Sequence, residues 1–186
     1  MSSIDAASAA WMDACSADDA VRARAFSLAA HGEQRYGDQP YSVHIDAVAA
    51  LAATAAPAGH AAQVIAYLHD VAEDTAVALT DIAANFGPDV AACVALLTDG
   101  QGTRAERKAA SHRKLAATPD AYRIALLVKT ADRLANVRAC VAADRRDKLA
   151  IYAAEHNAFR HAAHRAGLCD ALWSELDELL GAALSG

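Results

Sequence analysis

The sequence predicts an all-α fold, and three observations carry that expectation. Hydrophobic residues fill 55% of the 186 positions while aromatic residues fill only 5%, and alanine, the best helix former, supplies much of the apolar content. Strand signals are sparse. Capping and breaking residues divide the chain into helix-sized pieces. At this length one domain over residues 1–186, with a substantial core, is expected.

In chain order, residues 1 to about 16 carry Trp11 and Met12 and form a short leading helix or a frayed arm. Asp18 and Asp19 suit a helix start, with the helix running to about Gln34. Gly37, Asp38 and Pro40 then make a loop before Tyr41. Ser42 is expected to cap a second helix that ends near Pro57-Ala58-Gly59, and a third holds Val64, Ile65 and Leu68. Thr80 is expected to cap a short helix closed by Gly87, and Pro88 opens the next, through Leu97. A loop over 99–102 precedes a charged helix over 104–117, and Thr118-Pro119-Asp120 starts another that reaches about Cys140. Two closing helices, over about 145–165 and 170–183, flank Gly167.

The net charge of −6 argues against a broad nucleic-acid-binding surface but leaves room for a small basic pocket. Cys15, Cys93, Cys140 and Cys169 show no CxxC spacing and read as reduced structural thiols. Neither a signal peptide nor a membrane-spanning run is visible, so a cytoplasmic protein without a membrane partner is expected. An alanine-rich helical surface suits a monomer and a self-packing oligomer equally.

The most unusual stretch is Leu68-His69-Asp70-Val71-Ala72-Glu73-Asp74-Thr75, directly after the apolar run of Val64, Ile65, Ala66 and Tyr67. An imidazole and an acid carried to the end of a buried helix need a partner, and a metal ion is the commonest one. On the helix over 121–140, Lys129, Asp132 and Asn136 fall on one stripe at i, i+3, i+7, with Arg133 beside it. A solvated face is the plain alternative, but His69-Asp70 offers that stripe a partner. His44, behind Tyr41, is a natural fourth donor. The expected ligand set is therefore His44, His69, Asp70 and Asp132. Two imidazoles and two carboxylates without thiolate suit manganese or iron better than structural zinc. Glu73 and Asp74, one turn beyond, are placed to orient or deprotonate a water, or to protonate a leaving group.

These residues match the signature of the HD phosphohydrolase superfamily. The wider string is more specific: Ala30-His31, Gln34-Arg35, Pro40-Tyr41-Ser42-Val43-His44, the 68–75 stretch, and Val128-Lys129-Thr130-Ala131-Asp132-Arg133-Leu134-Ala135-Asn136. It resembles the hydrolase domain of the bifunctional alarmone synthetase/hydrolases, and still more the stand-alone small alarmone hydrolases, including the metazoan type. The resemblance spans roughly residues 20–165. It implies a helical HD-domain fold and a 3′-pyrophosphohydrolase that uses one manganese ion, or another divalent metal, to convert ppGpp and pppGpp to GDP or GTP and pyrophosphate. It also implies His44, His69, Asp70 and Asp132 as ligands and Glu73 and Asp74 as the catalytic acidic pair. Arg35 and Asn136 would contact nucleotide, as would Lys129, as a substrate or supporting cation. A synthetase domain is not expected. Ile45, Tyr36 and Ala139 depart from the family pattern; these changes leave the metal residues intact and bear on the nucleotide.

Other residues take plainer readings. His31 is expected to pack or to support the site rather than to ligate metal. His156, His161 and His164 crowd one late helix, where no nearby acid completes a metal set. Glu106, Arg107, Lys108, Arg113 and Lys114 read as a solvated helix from which one or two cations reach a phosphate. Tyr41, anchored between Arg35 and His44, offers a ring for a base. The competing functions are another HD-type nucleotide phosphohydrolase acting on ppApp, NADPH or a dNTP, and a non-catalytic nucleotide sensor. The presence of both Glu73 and Asp74 weighs against the sensor.

Overall fold

Alanine-rich segments become helices wherever a cap or a breaker sets their limits. The computed structural model describes residues 6–56 and 59–185. After α1 (Ala6–Ala14), α2 (Ala17–His31) starts at a reciprocal cap, in which Ser16 Oγ accepts from the Asp19 N–H and Asp19 Oδ2 accepts from the Ser16 N–H. Gly32, at φ 55°, ends it and turns the chain.

The expected loop before Tyr41 is instead a two-stranded antiparallel ribbon. β1 (Arg35–Tyr36) pairs with β2 (Gln39–Pro40) around Gly37, whose φ of 59° permits the tight reversal. Two-residue strands carry no readable periodicity, which is why the sequence shows only a loop. α3 (Ser42–Ala55) begins one residue earlier than a Ser42 cap implies. Tyr41 occupies the cap position, its carbonyl accepting from the N–H groups of His44 and Ile45. α3 ends at Ala55 with Ala56 as its cap, just short of the end expected near Pro57-Ala58-Gly59; of these three, Pro57 and Ala58 lie outside the described residues.

α4 (Ala61–Leu68) stops at His69-Asp70, and a single turn, α5 (Val71–Asp74), follows at once. α6 (Leu79–Phe86) is capped from Ala78 rather than Thr80, because the Asp81 carboxylate accepts the Ala78 N–H at 2.9 Å. α7 (Pro88–Leu97) opens on proline as expected. α8 (Arg104–Ala116) has a Thr103–Glu106 capping box. The next helix starts later than Thr118: a 3-10 turn over Asp120–Tyr122 comes first, where the Tyr122 hydroxyl bonds Asp89 at 3.0 Å, and α9 (Ile124–Ala142) follows. α10 (Arg146–Ala163) and α11 (Asp170–Ser185) close the chain.

α9 is the central element, with α3, α4, α7, α10 and α11 all packed against it. Its buried side includes Leu126, Val128, Ala131 and Leu134, and meets Val48, Ile65, Leu68 and Leu176. Each fully buried large aliphatic side chain contributes ~1.5–3 kcal/mol. The stripe of Lys129, Asp132 and Asn136 therefore rides on the most firmly held helix of the fold, facing the α3 and α4 ends. Arg133 locks α9 to α10: its guanidinium lies 4.5 Å from the Tyr152 ring centre and 3.2 Å from the Glu155 carboxylate. Among the described residues, no helix is long and apolar enough to cross a membrane.

Candidate active site

His69 is wholly buried at the end of α4, where its Nδ1 lies 2.7 Å from the Ala66 carbonyl. A carbonyl only accepts, so the proton sits on Nδ1 and the lone pair on Nε2. That Nε2 faces Asp70 Oδ2 at 2.9 Å and Asp132 Oδ1 at 3.8 Å, yet makes no hydrogen bond. His44, delivered by the first turn of α3, brings its Nε2 to 3.4 Å from Asp132 Oδ1 and 3.7 Å from Asp70 Oδ2. Two imidazoles and two carboxylates, from α3, the α4–α5 joint and α9, thus converge on one point, where added positive charge, from protons or a bound cation, relieves the repulsion. The orphaned Nε2 and the N,N,O,O donor set both fit a divalent metal. Ligand atoms of His44, His69 and Asp70 lie within 4.8 Å of one another.

The titration behaviour expresses the same demand for positive charge. Burial alone would lower His44, but Asp132 and Asp70 outweigh it and push its pKa up to about 9. His69 is raised in the same way, against its own burial, chiefly by Asp70. Burial would raise Asp132 and Asp70, yet Lys129 and the two imidazoles hold Asp132 well below the usual range, and His69 and His44 do so for Asp70.

The surroundings fix these donors. Asn136 donates to Asp132 Oδ1 at 2.6 Å and accepts from the Tyr36 hydroxyl at 2.7 Å. Lys129 Nζ lies 3.4 Å from Asp132 Oδ2. Burial opposes its charge, but Asp132, Asp70, Asp99 and Glu73 together hold its pKa above the ordinary lysine value. Both residues, expected to meet substrate, are engaged in holding Asp132. Tyr41 departs further from expectation. Its ring is only 8% exposed, packed against His31 (ring centres 4.3 Å apart) and His44 (5.5 Å), and its hydroxyl donates to Asp70 Oδ2 at 2.5 Å. No face is left for a base, because α2 and α3 close over it. Arg35 is exposed on the ribbon, its guanidinium donating to the Asp38 carbonyl.

Glu73 and Asp74 emerge from α5, next to the donor cluster and open to solvent. Glu73 Oε2 accepts the Asp99 N–H at 2.7 Å; partial burial pushes its carboxyl up, against that bond and Lys129. Asp74 Oδ2 accepts from Gln34 Nε2 at 3.0 Å and lies 3.4 Å from the Tyr41 hydroxyl.

Three features are absent from the sequence reading. Tyr36 stacks on His44, with ring centres 4.7 Å apart and planes 20° from parallel; an aromatic in a ligand-bearing loop was the available signal. Lys108 and Lys114 are not merely solvated, since Lys108 pairs with Asp99 at 3.2 Å and Lys114 donates to the Ala95 and Thr98 carbonyls. They brace the loop that holds Glu73. An acid does reach the late histidines: α11 brings Asp177 to 2.7 Å from His156 Nε2, and Arg160 shares it. It forms an ion-pair cluster and, among the described residues, no second group of three metal donors.

A groove of about 570 Å³ opens beside His44 between α3 and α9, lined by Tyr36, Ala47, Ala50, Leu51, Ala135 and Ala139. It is mostly apolar, with Thr54 and Arg138 also in its lining, and it adjoins the donor cluster through His44.

The HD domain family is matched over residues 22–169. Over 168 residues the chain is 34% identical to the guanosine-3′,5′-bis(diphosphate) 3′-pyrophosphohydrolase of Aquifex aeolicus (strain VF5), covering 88% of this chain and 23% of that protein. The chain thus spans less than a quarter of that relative's length. Among solved structures, a metazoan ortholog of SpoT, described as hydrolysing ppGpp with a role in starvation responses, superposes with a TM-score of 0.76 at 26% identity, over 90% of this chain and 96% of that one. A Listeria monocytogenes EGD-e protein, at a TM-score of 0.62 and 22% identity over 79% of this chain and 97% of its own, shares the fold.

Proposed function

Because this chain belongs to the HD domain family, we propose that its donor cluster serves metal-dependent hydrolysis of the 3′-pyrophosphate of ppGpp and pppGpp, giving GDP or GTP and pyrophosphate. The observation that carries the reading is the division of one short stretch into two functions. His69 and Asp70 turn inward to meet His44 and Asp132, while Glu73 and Asp74 stay open beside them. The Aquifex relative and the metazoan structure support the alarmone as substrate.

His44, His69, Asp70 and Asp132 would hold one manganese ion, or another divalent metal. When bound, the metal supplies Lewis acidity to a phosphoryl oxygen and to a water. The remaining work falls to the chain. Water oxygen attacks the phosphorus attached to the ribose 3′-oxygen, and the bond from that phosphorus to the 3′-oxygen breaks. Asp74 takes a proton from the water. Glu73, whose carboxyl is raised by burial, returns one to the departing 3′-oxygen. Lys129 and Asn136 keep Asp132 in place throughout. The α3–α9 groove, which Tyr36 helps to line, would accommodate the base, and Arg35 is the neighbour of Tyr36 on β1.

The test is a product assay on ppGpp, pppGpp, ppApp, NADPH and dGTP, each with and without manganese. Pyrophosphate release from ppGpp that depends on manganese is expected. Turnover confined to dGTP or NADPH would overturn the alarmone reading while leaving a metal-dependent phosphohydrolase.

A further inference from the structure

We propose that His31 is a positioning residue for the Asp74 carboxylate, acting through the side-chain amide of Gln34. The proposal rests on the reading of Asp74 as a proton-moving group. His31 is the last residue of α2, buried, and Gly32 turns the chain so that Gln34 lies back over it. His31 Nδ1 is 2.8 Å from Gln34 Oε1, and Gln34 Nε2 is 3.0 Å from Asp74 Oδ2.

The donor direction is fixed from one end. An ionised carboxylate only accepts, so the Gln34 NH₂ faces Asp74. Its carbonyl oxygen then faces His31, and His31 must carry a proton on Nδ1. The second support of Asp74 passes through the same residue. The His31 ring lies against Tyr41, whose hydroxyl donates to Asp70 Oδ2 and stands 3.4 Å from Asp74 Oδ2. Both contacts address Oδ2, leaving Oδ1 as the oxygen that exchanges a proton.

A core histidine of purely packing value would not explain this arrangement. Asp74 is exposed and Gln34 only half-buried, and a water-exposed amide–carboxylate pair does not hold one geometry unless one end is anchored. His31 is that anchor. Its link to the donor cluster runs through the ring contact with Tyr41, which His31→Phe keeps, so that variant separates the relay from support of Asp70.

Four full-length, metal-loaded variants test the assignment. His31→Phe keeps a ring against Tyr41 and removes the donor; His31→Asn restores an N–H; Gln34→Leu cuts the relay; Asp74→Asn removes the charge it holds. We expect His31→Phe and Gln34→Leu to lower kcat about tenfold, with KM, metal content and Tm unchanged, and His31→Asn to recover part of the loss. A kcat within twofold of wild type in His31→Phe, or a loss confined to metal content or Tm, overturns the relay. Rates are taken on whichever nucleotide the wild type hydrolyses, so failure of the alarmone reading is seen separately, in the wild type. A readout without turnover completes the test: in the magnesium-loaded chain, the Gln34 side-chain amide ¹H–¹⁵N resonances should shift in both His31→Phe and Asp74→Asn. Unchanged resonances in either variant overturn the proposal whatever the substrate.

Discussion

A single backbone contact decides what His69 can do. By accepting the hydrogen bond of Nδ1–H, the Ala66 carbonyl turns Nε2 toward two carboxylates, which suits His69 to the metal-holding role proposed for it. Removing either acid should undo this: Asp70→Ala and Asp132→Ala should each bind no manganese, measured by metal analysis after dialysis, and retention of a full equivalent would refute the donor set. Glu73→Gln should keep its metal and lose turnover by ~10²–10⁴-fold, since it alters proton transfer alone. Tyr41→Phe leaves the ring in place but strips the bond to Asp70; metal affinity should fall ~10–100-fold by titration, with Tm near wild type. At this scale the convergence of His44, His69, Asp70 and Asp132 was legible because residue type and spacing carry it. The burial of Tyr41 was not, since only the packing of α2 and α3 determines whether an aromatic in a loop faces water.

Among elements, the joint between α4 and α5 matters most. Leu68, with no exposed surface, is the last apolar anchor before His69, so Leu68→Ala should cost ~2–5 kcal/mol in chemical denaturation and lower metal affinity with it. An unfolding midpoint unchanged from wild type would show that the joint does not depend on that packing. A second join ties α8, α9 and α10 through Glu155, which accepts from Arg104 at 2.7 Å and meets Arg133 at 3.2 Å. Burial would raise its carboxyl, but the two guanidiniums hold it below the ordinary value. The stability it gives is thus present above the unfolded-state pKa of about 4.3 and lost as pH falls through the folded value. Glu155→Gln should lower Tm at pH 7, with the gap to wild type closing below about pH 4.3; a gap constant with pH would exclude this origin. The helices themselves were readable from caps and breakers, including the Pro88 start and the helix break at Gly167. The β1–β2 ribbon was not, because two pairs of residues leave no pattern, and neither was the Asp81 cap, which acts from inside its helix.

For the whole molecule, the donors come from α3, the α4–α5 joint and α9, so a bound ion would cross-link three parts of the chain. Chelation should therefore lower Tm, and manganese restore it with concentration dependence, as expected of a ligand that binds only the folded state. A Tm indifferent to chelator would place the ion outside this cluster. The all-α architecture was legible from composition, whereas the centrality of α9 was not, since no local pattern tells which helix others surround. The α4–α5 joint also has a consequence in time. His69, Asp70, Glu73 and Asp74 are neighbours along the chain and can be ordered by local contacts that form fast, but His44 and Asp132 meet them only when distant segments have docked. The donor cluster is consequently completed by the late, non-local step of folding, and on the proposed metal-binding role the onset of divalent-metal binding during refolding would serve as a clock for the arrival of α9.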